Sequence, residues 1–233
     1  MKKLSLLLGG VILSTAVMAQ KPTDGAPMSL EGQVGLQSGV AGGNILQFTA
    51  PSIRFRYFVM NNLAIRATLG IDNAKQTKTY YQNADFSGAT GTVASSVNGW
   101  RGAIGAEYHF TGTNRLSPYA GLDIRFGGGN SREVGKNVTA PPAPAYSSTD
   151  KYETNSKYGT FGVGLVAGTD FYFAENFYLG LELGLGWAST TNKQDTYSVT
   201  TGGTTTTGKS DGLDKTSVLS TNATALFRLG WRF

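Results

Sequence analysis

Cysteine is absent from the 233 residues, so the chain can form neither a disulfide nor a lipid anchor on a mature N-terminal cysteine. Histidine occurs once, at His109. One imidazole and scattered carboxylates fall short of the ligand set that a metal centre needs, and no metal or other cofactor is expected. Beyond the first residues no apolar run reaches the roughly 18 residues of a membrane-spanning helix. Lysine is missing from every segment in which apolar and polar residues alternate. That last absence proves the most informative.

What is present begins with an export signal. Lys2 and Lys3 precede an apolar run from Leu4 to Val17, and Val17-Met18-Ala19 supplies the small-residue cleavage pattern. Residues 1–19 read as a secretory signal peptide, too short and wrongly flanked for an anchor. Export without cysteine suits a bacterial envelope better than a disulfide-stapled secreted domain. Residues 20–28 are then expected as a periplasmic N-terminal segment and 29–233 as a single all-β domain. Loss of Lys2 and Lys3 takes the formal charge from +5 to +3. The remaining lysines lie in the N-terminal tail or long loops, with no basic run or stripe, so no nucleic-acid partner is expected.

Eight segments carry the two-residue period of strands with unlike faces. They are 29–37, 52–58, 63–71, 100–110, 118–126, 158–173, 177–187 and about 219–233. In the third, Leu63, Ile65, Ala67, Leu69 and Ile71 oppose Arg66 and Thr68. Connections alternate between short turns (59–62, 111–117, 174–176) and long polar loops (38–51, 72–97, 127–157, 188–218). Compact domains rarely carry several long structureless loops. Outer-membrane barrels do so at one end, with tight turns at the other and an even number of strands.

Alternation alone leaves open which face is outside, since a soluble barrel would bury the apolar one. The polar face holds Arg54, Arg56, Arg66, Arg101, Arg125, Arg228 and Arg232, together with Glu31, Glu107, Asp123, Asp170 and Glu182. Arginine without lysine suits a crowded interior, where its planar fork pairs carboxylates bidentately. Glycines on that face, among them Gly164, Gly168 and Gly180, leave space for such long side chains. On the apolar face, Trp100, Phe126, Phe161 and Trp187 adjoin the long loops. Tyr57, Phe110, Phe173, Phe177, Trp231 and Phe233 adjoin the short turns or the terminus. Two aromatic belts a strand's length apart are what two membrane interfaces select. The expected architecture is an eight-stranded antiparallel transmembrane β-barrel with short periplasmic turns and long extracellular loops, its lumen filled by an ion-pair network of those twelve charged residues.

The passages "SPYAGLDIRFG" and "GLVAGTDFYFAENFYLGLELGLGW" are similar to hairpins of the small eight-stranded outer-membrane proteins, the group of the OmpA transmembrane domain, OmpX and OmpW. The ending "LFRLGWRF", with Phe227, Leu229, Trp231 and Phe233 alternating, resembles the C-terminal assembly signal of such proteins. The resemblance implies an outer-membrane location, contact with outer-membrane lipid and lipopolysaccharide, and reading by the barrel-assembly machinery. OmpA itself continues into a peptidoglycan-binding domain, whereas this chain ends on its last strand, so no cell-wall anchoring is expected.

Candidate chemical motifs are weaker. Residues 203–210, "GTTTTGKS", match a phosphate-binding loop, but no buried strand leads into it and no helix pattern follows. His109 lies one residue before a short turn near Glu107 and Tyr119, with no serine of matching context expected beside it. Glu182, Asp123 and Glu107 could do acid–base work, but arginines on the same face make ion pairing the simpler account. "TAPPAPAY" (139–146) is expected to stiffen the third loop. Tyr80, Tyr81, Phe86, Tyr146, Tyr152 and Tyr158 could touch an extracellular partner. The functional expectation is a non-enzymatic structural or surface-interaction protein. The alternatives are a narrow channel for small or hydrophobic solutes, as the OmpW resemblance implies, and, more weakly, a lipid-modifying envelope enzyme.

Overall fold

The structure, a computed structural model, describes residues 26–37, 47–48, 51–210, 215–220 and 225–233. The proposed signal peptide, residues 1–19, lies outside them. Twelve strands form one antiparallel sheet: β1 (Met28–Gln37), β2 (Gln47–Phe48), β3 (Ser52–Met60), β4 (Leu63–Tyr81), β5 (Thr90–His109), β6 (Leu116–Val138), β7 (Tyr146–Tyr172), β8 (Phe177–Asn192), β9 (Thr196–Thr201), β10 (Thr204–Lys209), β11 (Lys215–Ser220) and β12 (Ala225–Arg232).

Eight of these close a ring in the order β1-β3-β4-β5-β6-β7-β8-β12, with β12 returning to β1. Closure leaves no free strand edge within the membrane, where no water could satisfy it. At the seam Leu30 faces Trp231 and Val34 faces Phe227. The amides of Met28 and Phe233 each donate to the other's carbonyl, at 3.0 and 2.8 Å.

In the ring the polar face points inward. Arg56, Glu107, Asp170 and Arg228 are almost wholly buried, whereas Leu69 and Ile71 are 63% and 74% exposed. Along β5 and the residue that follows it, the outward apolar positions run from Phe110 to Trp100, roughly 33 Å along the chain and about 25 Å along the normal at a tilt near 40°. That matches the apolar band of a membrane barrel. Trp100 packs edge-on against Phe126, and Trp231 against Phe177 and Phe233, in two separate belts.

The loops expected at 72–97 and 127–157 are not structureless. The ladder of β4 with β5 continues from Leu63–Tyr108 to Tyr81–Thr90, and that of β6 with β7 runs on to Lys136–Lys151. Thr, Val and Tyr supply strand propensity there. Neither face is uniformly apolar, so the period-two signal fades although the ladder persists. Within 188–218, β8 ends at Asn192 and β9 takes its place beside β7, pairing Thr196–Thr200 with Lys151–Asn155. β10 folds back on β9 through Gly202 and Gly203, whose φ of 56° and 86° suit a tight hairpin turn.

Above the upper belt the two faces exchange character. The inward face now buries Val93, Val138 and Tyr152 in a small core with Tyr80, Ala140 and Val199. The outward face turns polar: Phe161 gives way along β7 to Lys157, Asn155, Glu153 and Lys151. The hairpins thus form a folded extracellular sheet standing on the barrel.

Candidate functional site

The lumen is filled by side chains from all eight ring strands, each placed inward by strand parity. β3 supplies Arg54 and Arg56, β4 Arg66, β5 Glu107 and His109, and β6 Asp123, Tyr119 and Arg125. β7 supplies Asp170, β8 Glu182 and Tyr178, and β1 and β12 supply Glu31 and Arg228. Arg54 forks onto Glu182 at 2.8 and 3.0 Å. Arg66 forks onto Asp123 at 2.7 Å on both oxygens, and its Nη1 also reaches Glu107 at 3.0 Å and Glu182 at 2.8 Å. Lower down, Arg56 joins Glu31, Glu107 and Asp170, while Arg228 bridges Asp170 at 2.6 Å and Glu31 at 3.2 Å. The hydroxyls of Tyr119 and Tyr178 donate to Glu182 and Glu31 at 2.6 and 2.9 Å, closing the remaining acceptors.

Glycine makes this packing possible. A Cβ on Gly180 would lie 2.5 Å from the Arg228 guanidinium, and one on Gly164 would lie 2.5 Å from that of Arg125. Gly230, directly opposite Tyr178 in the ladder, would place a Cβ 2.0 Å from its ring. Substituting a side chain there forces the aromatic off its carboxylate.

Three sequence expectations change here. Arg101 is not in the buried cluster: it pairs at the mouth with Asp72, whose position just past the recognised strand hid it. Arg125 is also a mouth residue, about a third exposed and 3.8 Å from Asp123. Arg232 meets no carboxylate among the described residues. It donates to the Ala26 carbonyl at 2.6 Å and lies over the Phe58 ring at 4.0 Å, because it sits at the last rung, below every acid.

A serine does stand beside His109. Ser117 Oγ lies 2.8 Å from its Nδ1, and Glu107 Oε1 lies 3.0 Å from its Nε2. The sequence conceals this because the two meet across the β5–β6 turn. The trio is at most 3% exposed, and Glu107 is already bound by Arg56 and Arg66. Among the described residues Ser117 is wholly buried.

Toward the exterior the packing stops. A cup of about 460 Å³ opens at the mouth, with Gln33, Arg54, Arg101, Arg125 and Tyr158 on its walls and Glu182 at its floor. Gly162 and Gly184 help to line it and leave the space unfilled. Above it, Arg132 forks onto Glu153 at 2.7 and 3.0 Å and holds that carboxyl below its usual range. Burial pushes the Tyr152 phenol up, reinforced by Glu133, which accepts its hydrogen bond at 2.8 Å. Tyr152 is therefore core, whereas Tyr81 and Phe86 are exposed and pack edge-on at the tip of the first hairpin. The phosphate-loop lookalike is the outer strand of the β9–β10 hairpin. It has no buried strand and helix to aim amides at a phosphate.

Among solved structures, the N-terminal β-barrel domain of Pseudomonas aeruginosa OprF is similar at 14% identity and a TM-score of 0.36, over 90% of this chain and 100% of that one. Ail of Yersinia pestis, in complex with the heparin analogue sucrose octasulfate, is similar at 12% identity and a TM-score of 0.37, over 93% and 99%. The Escherichia coli outer-membrane protease OmpT follows at 10% and 0.40, over 89% and 94%. No curated protein matches the sequence. Residues 49–186 match the family model of the OmpA-OmpF-like porins.

Proposed function

Because the chain belongs to the OmpA-OmpF-like porin family of outer-membrane β-barrels, we propose that it works as a non-enzymatic barrel with a plugged lumen and an extracellular sheet as its working surface. The observation that carries this reading is the floor of the mouth cup. There Arg54, Glu182, Arg66 and Asp123 form one continuous layer of charge-assisted hydrogen bonds, each residue at most 4% exposed. A water-filled pore would leave such groups hydrated, and eight strands enclose little more than their own side chains. Below that layer Arg56, Glu31, Asp170 and Arg228 repeat the arrangement.

The extracellular sheet is a built surface, since it has its own core at Val93, Val138 and Tyr152. Long hairpins held rigid by such a core present fixed side chains to a ligand outside the cell, which a mobile loop does only at an entropic cost. The second reading, a narrow channel, is favoured by the cup itself, which reaches partway into the barrel before meeting the charged layer.

Planar-bilayer recording separates the two. A plugged barrel gives brief, rare openings, whereas sustained unitary steps in the wild-type protein would move the channel reading to first place. In parallel, trimming the hairpins to residues 72 and 97 and to 127 and 157 should abolish binding to whatever surface the intact protein recognises while leaving assembly intact.

A further inference from the structure

Every lysine in the extracellular sheet from β6 round to β11 falls on the outward face. Lys136 pairs directly with Lys151, and Lys215 pairs with Thr191, which itself pairs with the outward Gly159. Lys209 pairs with Thr196, which pairs with Asn155, two residues from Lys157. The Lys193 amide donates to the Lys157 carbonyl at 2.7 Å, which sets those two side by side. Lys157, Lys193 and Lys209 then line one groove of about 550 Å³ with Asn155, Gln194 and Thr196. A neighbouring groove runs from Lys215 down to Phe161 and Trp187 in the upper aromatic belt.

Among the described residues the acids facing this patch are few. Glu153 is occupied by Arg132, and Asp195 stands at the end of the groove, its backbone bonded to Ser210. None of Lys157, Lys193 and Lys209 forms an ion pair among the described residues. Like charges held side by side across neighbouring strands are destabilising, so Lys157 and Lys193 together are a standing cost that a bound anion would relieve.

Height identifies the anion. Lys157 is four residues above Phe161, roughly 13 Å along the strand and about 10 Å along the normal. A lysine's four-carbon stem covers part of that distance, and a headgroup standing above the belt covers the rest. The patch is also continuous with the lipid-facing surface, so its natural occupant is membrane-bound.

We propose that Lys157, Lys193 and Lys209, with Lys215 beside them, form a docking site for the phosphate groups of an outer-leaflet glycolipid. The proposal depends on the outer-membrane placement of the barrel and is independent of any soluble ligand on the hairpin tips. A juxtamembrane basic residue near an anionic surface contributes about fivefold in affinity. Three such residues therefore contribute roughly a hundredfold.

The test uses the full chain in neutral nanodiscs doped with diphosphorylated lipid A or with its dephosphorylated form, and reads retained glycolipid by native mass spectrometry. Retention of the diphosphorylated form should fall about fivefold for Lys157→Gln, and roughly a hundredfold for the triple variant Lys157→Gln/Lys193→Gln/Lys209→Gln. Lys75→Gln, outward on the far side of the barrel, serves as the folding-matched control and should leave retention unchanged. The dephosphorylated form should bind wild type and triple variant alike. Equal retention of the diphosphorylated form by wild type and triple variant overturns the proposal. So does a patch that binds inorganic phosphate or a soluble sulfated polysaccharide while lipid A fails to compete.

Discussion

Replacing Glu182 by glutamine separates a plug held by ion pairs from one held by shape alone. The substitution keeps the volume and removes the charge. Three donors converge on Glu182: Arg54 through two hydrogen bonds, Arg66 through one and the Tyr119 hydroxyl through one. Arg66 keeps Asp123 and Glu107 and loses little. Arg54 has no other carboxylate within pairing distance among the described residues, so a guanidinium 3% exposed is left uncompensated. Breaking a buried pair from one side costs about 3–5 kcal/mol, and the amide oxygen of glutamine returns part of the Tyr119 bond, so the expected loss is about 4 kcal/mol. Removing both partners, as in Arg54→Gln/Glu182→Gln, should recover at least about 2 kcal/mol of the summed single losses. Glu107→Gln should cost less, about 1–2 kcal/mol, because Arg56 retains Glu31 and Asp170 and Arg66 retains Asp123 and Glu182. The assay is urea unfolding of the protein refolded into lipid vesicles, followed by tryptophan fluorescence and heat-modifiable gel migration. A Glu182→Gln loss below about 1 kcal/mol, or strict additivity in the cycle, would refute ion pairing as the source of cohesion.

Gly230→Ala should destabilise the barrel by about 1–3 kcal/mol, since the new methyl displaces Tyr178 and breaks its bond to Glu31; the same unfolding titration reads it. Tyr152→Ala should leave the barrel folded while opening the hairpins, so that brief trypsin treatment cuts at Lys136 and Lys151 without altering heat-modifiable migration. Glu153 has a folded pKa below its ordinary 4.5, so its bond to Arg132 stabilises the β6–β7 hairpin above about pH 4.5 and fades as pH falls through the lowered value. Hydrogen-exchange protection across residues 127–157, taken relative to the intrinsic rate at each pH, should fall in that acid window, and Arg132→Gln should erase the difference. Deleting Phe233 removes both backbone bonds to Met28 at the seam and should lower outer-membrane yield, with misassembled protein accumulating in the periplasm.

The barrel was legible in the sequence because a two-faced strand writes its pattern on every residue, and Arg54, Arg56, Arg66, Arg228 and the five acids each lie inside such a pattern. What lay outside the pattern was hidden. Asp72, the partner of Arg101, follows Ile71, where the alternation of its strand stops, and Ser117 meets His109 only across a turn. The lysines form no run, since 136, 151, 157, 193 and 209 are scattered along the chain and become neighbours only through the register of five strands. The β9–β10 hairpin is Thr-rich on both faces and therefore carries no alternation to detect.

The exchange of faces above the upper belt sets an arithmetic for how this surface can change. A single residue inserted into β7 between Lys157 and Phe161 would leave the membrane part untouched and turn everything above it inside out, lysines inward and Tyr152 outward. Insertions of two residues would lengthen the sheet and keep each side chain on its own face. The extracellular sheet already contains such a parity switch. At Asn137, where φ is 54°, the ladder shifts register, so that exposed Lys136 and wholly buried Val138 end on opposite faces although two residues apart. Length changes in the extracellular hairpins should therefore come in even steps, or in odd steps accompanied by a new bulge.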